Sequence, residues 1–122
     1  MVQPNCPFCS IARGEQKADV VFETEDVVVI RDIAPQAPVH LLAIPKVHVP
    51  SAAYAKDGRL WASLMTTAVE VAAAQGLSSY RLVVNCGEQA GMSIPHLHVH
   101  ILGGRRFRWP PGCDASEKGV IA

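Results

Sequence analysis

Net charge is the first thing this chain lacks. Lysine plus arginine and aspartate plus glutamate each number 11, so the formal charge over 122 residues is zero. Without a global basic field there is nothing to hold a nucleic-acid backbone, which argues against polymer binding but leaves small anionic ligands open. The one basic cluster, Arg105-Arg106-Phe107-Arg108, is short and reads as a solvated turn. No apolar run approaches the roughly 20 residues that a spanning helix needs. Met1 to Ser10 holds two prolines and two cysteines and has no apolar stretch of the kind a secretory signal carries. The expectation is therefore no membrane association and a cytoplasmic location. No glycine-rich loop ends in lysine, so a Walker-type nucleoside triphosphatase is excluded. Cysteine is scarce too. The four present read as thiols or metal ligands, not as a disulfide framework.

Histidine is equally rare, yet it is concentrated. Of five in the chain, three stand at alternate positions in Pro95-His96-Leu97-His98-Val99-His100-Ile101-Leu102. Successive side chains on a strand point to opposite faces, so one face would carry all three imidazoles and the other Leu97, Val99 and Ile101. Imidazole suits nucleophilic attack, proton transfer and metal ligation near neutral pH. Packing alone is a poor explanation for such a row.

The remaining periodicity predicts an α+β domain: an antiparallel sheet of about five strands, one main helix and a short N-terminal helix. The short helix falls within Cys6–Arg13. Val20–Glu23 and Asp26–Arg31 form a hairpin, and Val27 to Ile30, apolar throughout, should be covered on both faces. His40–Pro45 and Tyr80–Cys86 are further strands. The long helix runs from about Asp57 to Gln75, with Leu60, Trp61, Leu64, Met65, Ala68, Val71 and Ala72 inward and Ser63, Thr67 and Glu70 outward. Asp57 caps its start and Gly76 ends it. One domain is expected over 1–122, with a core of about 6–104 and a C-terminal arm at 105–122.

Two chemistries compete for the histidine segment. His98 and His100 could share a catalytic metal, which needs a further ligand; Glu88 is the only nearby acid, and its placement is open. Alternatively one imidazole attacks an electrophile while its neighbours stabilise charge. Asn85, Gly87, Gly91 and Ser93 precede the segment. They supply amide, hydroxyl and close-approaching backbone donors suited to phosphate oxygens, which favours the second chemistry.

His96-Leu97-His98-Val99-His100-Ile101-Leu102 resembles the His-φ-His-φ-His-φ-φ motif of the histidine-triad superfamily. The likeness extends through Asp32 to His40, Ile44-Pro45-Lys46, Leu102-Gly103-Gly104-Arg105 and Trp109-Pro110-Pro111-Gly112, in the manner of the Hint branch. It covers Cys6 to Gly112. The resemblance implies a purine nucleoside phosphoramidase that releases AMP through a nucleotidyl-histidine. It makes His98 the nucleophile, sets His100 and Asn85 on phosphate oxygens, and puts Ser93 and the backbone near Gly91 by the leaving amine. His40 stands across the pocket to stabilise charge or relay a proton, Asp32 takes the ribose hydroxyls, and Ile33 flanks the base. It further implies a homodimer in which Trp109 covers the leaving-group side of a neighbouring pocket. Ala68, Ala72, Ala73 and Ala74 are small enough to allow close approach of a second helix, the alternative being that they fit against the chain's own sheet. Met92, Pro95 and Arg31 depart from the family pattern around the nucleophile without touching it. The rival readings are a purine-nucleotide-binding regulatory module and a dinucleoside polyphosphate hydrolase or nucleotidyl transferase of the same superfamily.

Cys6-Pro7-Phe8-Cys9 leaves His48 and His96 as potential partners for a closed tetrahedral zinc set, structural in kind. Similar proteins from bacteria use these positions for zinc, so Cys6, Cys9, His48 and His96 are the expected metal ligands. The alternative is a reduced thiol pair. If His96 serves zinc it is not a catalytic base, and it anchors the segment that carries His98 and His100. No catalytic metal is expected. Cys86 and Cys113 have no evident partner.

Overall fold

The computed structural model of the protein describes residues 5–112; Cys113 and the remainder of the predicted C-terminal arm beyond Gly112 lie outside the described residues. Val20–Glu23 (β1) and Val27–Arg31 (β2) form the expected hairpin. β2 opens at Val27 and not at Asp26, for a local reason. Thr24 Oγ1 accepts the backbone N–H groups of Asp26 (3.2 Å) and Val27 (3.0 Å), a side-chain turn that holds Asp26 in the loop. Val39–Pro45 (β3), Tyr80–Val83 (β4) and Val99–Gly103 (β5) complete a five-stranded sheet in the order β1-β2-β3-β5-β4. Every neighbouring pair is antiparallel. β4 ends three residues earlier than predicted.

Strand alternation then sorts the residues into two layers. Val27, Val29, Leu41, Ala43, Val99 and Ile101 face the long helix Gly58–Ala74 (α2). Val28, Ile30, Leu42 and Ile44 face the other way, onto the short helix Pro7–Ala12 (α1) with Cys6, Phe8 and Cys9. Val27 to Ile30 are accordingly buried at every position, as the unbroken apolar run requires.

α2 starts and stops as the sequence predicts. The Asp57 carboxylate accepts the Arg59 N–H at 2.9 Å, and Gly76 takes a φ of +78° just past the end. Its sheet-facing stripe is Leu64, Thr67, Ala68, Val71 and Ala72. Thr67 was expected on the outer face. The three-then-four spacing sets it beside Leu64, Ala68 and Val71, and its small side chain fits there. Ala68 and Ala72 are fully buried, packed against the chain's own sheet, so only Ala73 and Ala74 of the alanine group remain exposed.

The histidine segment pairs later than its alternation suggests. Regular β5 begins only at Val99, beyond His96 and His98. The β3–β5 register, with Ala43 opposite Val99, would carry Leu97 opposite Pro45. Proline has no N–H to give a ladder. Leu97 instead donates its N–H to the carbonyl of Val49 at 2.7 Å. The facing survives nevertheless: Leu97 joins Val99 and Ile101 in the α2-side core. Single 3-10 turns at Ala52–Tyr54 and Glu88–Ala90 were not anticipated. Among the described residues, no helix is long and apolar enough to cross a membrane.

Leu64 is fully buried at the centre of the α2–sheet contact. Leu64→Ala should therefore cost about 2–5 kcal/mol in urea unfolding, with an unchanged denaturant slope. A loss below about 1 kcal/mol would contradict this packing.

Candidate functional site

Four imidazoles are buried on the α1 side of the sheet: His40, His96, His98 and His100. A buried imidazole must satisfy its ring nitrogens, and here backbone groups decide which nitrogen carries the proton. His96 Nε2 lies 2.8 Å from the Pro45 carbonyl, which can only accept, so Nε2 bears the hydrogen and Nδ1 a lone pair. His98 Nδ1 lies 2.7 Å from the His96 carbonyl. It is the donor for the same reason, and the lone pair of His98 therefore sits on Nε2.

The other two rings form a directed relay. The backbone N–H of Gln36 donates to His40 Nδ1 at 3.0 Å, leaving the His40 hydrogen on Nε2. That nitrogen is 2.8 Å from His100 Nδ1 and 3.3 Å from Asp32 Oδ2. His100 Nδ1 thus accepts, and the His100 hydrogen must stand on Nε2. This buried nitrogen has no hydrogen-bond partner. An unpaired buried donor costs about 1–3 kcal/mol, so it marks a place where an acceptor is meant to arrive.

Burial pushes His40, His98 and His100 below the usual histidine range. His100 is lowered to about 4, first by burial and then by the neighbouring His98 and His40, with Asp32 opposing. All three are neutral at pH 7. A neutral His98 keeps its Nε2 lone pair available.

His40, His98 and His100 line a cavity of about 390 Å³. Asp32, Ile33, Gly91 and Ser93 line it as well, so seven of the residues singled out in sequence converge there. Ile33 is fully exposed at this opening. Asp32 Oδ1 accepts the Ala34 N–H at 2.8 Å, and Oδ2 faces His40. Asn85, just beyond β4, and Trp109, 81% exposed, are not among the lining residues. Arg31 pairs with Asp19 at 3.1 Å along the same wall. Sequence reasoning missed the apolar floor, made by Phe8, Ile30, Leu42 and Ile94. Phe8 meets His98 edge-on, with ring centroids 5.0 Å apart. Its place between two candidate ligand cysteines was the available signal. The Gln36 backbone contact had none.

The second cluster joins Cys6, Cys9, His48 and His96, whose ligand atoms all lie within 4.8 Å of one another. His96 Nδ1 is 3.2 Å from Cys6 Sγ, 3.6 Å from Cys9 Sγ and 3.2 Å from His48 Nδ1. Cys9 Sγ is 3.3 Å from His48 Nδ1. Tetrahedral zinc with sulfur at about 2.3 Å and nitrogen at about 2.0–2.1 Å has edges of roughly 3.3–3.8 Å. The donor set fits, and the lone pair on His96 Nδ1 points the required way. This is a closed, structural zinc site. Burial pushes the Cys6 thiol up, so the metal must displace protons when it binds. Asp32, His40 and His100 also cluster, but His40 Nε2 and His100 Nε2 carry hydrogens. In this hydrogen-bonded arrangement the His40 hydrogen lies between His40 Nε2 and His100 Nδ1.

The profile of the HIT domain family matches residues 13–107. An uncharacterized HIT-like protein of Synechocystis sp. is 47% identical over 108 residues, spanning 86% of this chain and 95% of that protein. The crystal structure of a HIT family hydrolase from Legionella pneumophila superposes with a TM-score of 0.86 at 47% identity, covering 88% of this chain and all of that one. A zinc-bound histidine triad family protein from Mycobacterium smegmatis superposes with a TM-score of 0.77 at 26% identity, covering 94% and 88% respectively.

Two outcomes follow from this geometry. Protein purified without chelator should contain one zinc per chain, and stripping it should lower the melting temperature. Elemental analysis of metal-replete protein settles the first point and calorimetry the second. The second outcome concerns pH. His100 titrates near 4 when folded against an ordinary 6.5, so between these values the unfolded chain binds the extra proton. Its contribution is complete above about pH 6.5 and is lost as pH falls toward 4, at up to about 1.4 kcal/mol per pH unit. His100→Asn should therefore show a shallower fall in unfolding free energy over this window than wild type.

Proposed function

This chain belongs to the HIT domain family, and from that membership we propose that it is a Hint-type hydrolase. Its substrates are purine nucleoside 5′-monophosphoramidates, and it releases AMP when the nucleoside is adenosine. One observation carries the reading: His98 Nε2 with a lone pair and His100 Nε2 with an unpaired hydrogen belong to adjacent rings lining one cavity. The first is a nucleophile and the second an anion donor, the pair that attack at phosphorus requires.

The chemistry runs in two displacements. His98 Nε2 forms a bond to the α-phosphorus as the P–N bond breaks, and the amine departs with a proton drawn from solvent water. Water then attacks the nucleotidyl-histidine, the P–N bond to His98 breaks, and the nucleotide leaves. His100 Nε2–H donates to a non-bridging oxygen whose charge grows in each transition state. Ser93 and the backbone at Gly91 stand by the amine. His40 holds His100 in the donor tautomer. Ile33 and the floor of Phe8, Ile30 and Leu42 offer the base apolar surface, and Asp32 meets the ribose at the rim. The role of Asn85 on phosphate rests on the family likeness alone. So does that of Trp109, whose exposed ring would serve a second subunit's pocket. The proposal accordingly includes a homodimer of single-domain chains (residues 1–122) in the cytoplasm.

His98→Ala should lower turnover of an AMP–amine substrate by several orders of magnitude while AMP binding by calorimetry stays within a few-fold. Rapid-quench mass mapping of wild type should find the nucleotide on His98. Retention of more than about a tenth of the wild-type rate would rule out this nucleophile. Unaltered slow turnover with tight AMP binding would indicate a binding module instead.

A further inference from the structure

The segment after β5 is exposed, as its composition suggests, yet Arg105 tethers it to the loop before β3. Arg105 donates from Nε and Nη2 to the carbonyl of Gln36, at 3.2 and 3.1 Å, and from Nη1 to its neighbour's carbonyl at 3.1 Å. Its guanidinium lies over the Phe107 ring, 4.4 Å from the centroid, and Arg81 stacks on the same ring at 5.0 Å. Arg81 in turn donates to the Arg108 carbonyl at 3.1 Å. Gly104 makes the approach possible: its φ is +88°, and a Cβ there would sit 2.9 Å from Pro38. The segment is thereby seated against the 32–38 loop.

Gln36 is also the residue whose N–H fixes the tautomer of His40. If that N–H withdrew, only the longer contact of His40 Nε2 with Asp32 Oδ2, at 3.3 Å, would still oppose moving the His40 hydrogen to Nδ1, with Nε2 then accepting from His100 Nδ1. His100 Nε2 would become a lone pair facing the anion it should bind. With the N–H in place the flip would oppose two donors, which forbids it. We propose that Arg105 is a positioning residue: by holding the Gln36 carbonyl it keeps the Gln36 N–H on His40 and so keeps His100 a hydrogen-bond donor to the cavity. The competing account is that the loop holds itself, through Asp32 on the Ala34 N–H and the Gln36 side chain on the Ala34 carbonyl, at 2.8 and 3.1 Å. The effect on turnover rests on the phosphoramidase reading. The tautomer does not.

The test uses the full zinc-loaded chain with 15N-labelled histidine. Long-range proton–nitrogen spectra of the free protein should show His40 and His100 both protonated at Nε2. In Arg105→Ala, with zinc content and melting temperature as fold controls, the Nδ1–H tautomers should appear in both rings together. Arg105→Lys, which can still donate to the Gln36 carbonyl, should largely restore the wild-type pattern. On an AMP–amine substrate, kcat should fall by the same factor as the population of the His100 Nε2–H tautomer, about threefold or more, with smaller change in AMP affinity. Unchanged tautomers in a folded Arg105→Ala protein would overturn the proposal, as would a shift in only one of the two rings. A coupled shift in a protein whose wild type never cleaves phosphoramidates would sustain the positioning role and reject the phosphoramidase reading.

Discussion

His96 is the residue on which the rest of the α1 side depends. Its ring N–H reaches the Pro45 carbonyl, its other nitrogen completes the cysteine–histidine set, and its own carbonyl holds the ring of His98. A single residue therefore orients both the metal site and the neighbouring cavity. The ring cannot rotate without losing the zinc geometry, and the backbone cannot shift without releasing His98. α1 is tied into the same arrangement, because Cys6 accepts the Cys9 N–H at its start and Phe8 packs edge-on against both rings. Zinc thus contributes folding energy at a point where folding and the shape of the cavity floor are the same thing.

Burial sets the second condition. In water each imidazole would exchange tautomers and sample the charged form. Inside the sheet the charged form is disfavoured, and hydrogen bonds are electrostatically stronger than in solvent. Main-chain groups can then impose a direction, since a carbonyl only accepts and an amide N–H only donates. The chain of contacts from Gln36 to His40 to His100 ends in an N–H with nothing to bind. Among the described residues the fold tolerates that cost at one fully buried side-chain atom. Such a local exception to a well-satisfied interior is how a binding site is distinguished from a core.

Much of this could be read in sequence because it depends on local periodicity. The alternation of His96, His98 and His100 against Leu97, Val99 and Ile101 gave the correct faces, and Asp57 and Gly76 bounded α2 correctly. The Cys-x-x-Cys pair with His48 and His96 converges as expected. What stayed hidden is non-local or depends on the main chain. Nothing in the residue type of Gln36 announces that its N–H sits on a histidine ring. Thr67 was misjudged because a helix stripe can rotate by one residue without changing its period, whereas Ala68 and Ala72 lie inward as the stripe predicts. Small residues suit either a neighbouring helix or the chain's own sheet. Arg105 in a basic run looks solvated until its carbonyl acceptor is known.

The late start of β5 joins these strands of argument. A ladder that ran on past Ala43 and Val99 would commit the backbone on either side to strand pairing. Pro45 interrupts it, because it has no N–H to offer its partner. The groups beyond the break are used otherwise: the Pro45 carbonyl takes the His96 ring, the His96 carbonyl takes the His98 ring, and Leu97 turns to Val49. Within β5 itself, His100 keeps full ladder support opposite Leu42, and it is held through its ring by another side chain. Of the three imidazoles that line the cavity, the two from the histidine segment are thus fixed by different means, His98 by the His96 carbonyl and His100 by a relay from the loop before β3. Independent anchoring gives them opposite polarities on one surface. A uniform strand carrying three equivalent histidines would have given them the same one.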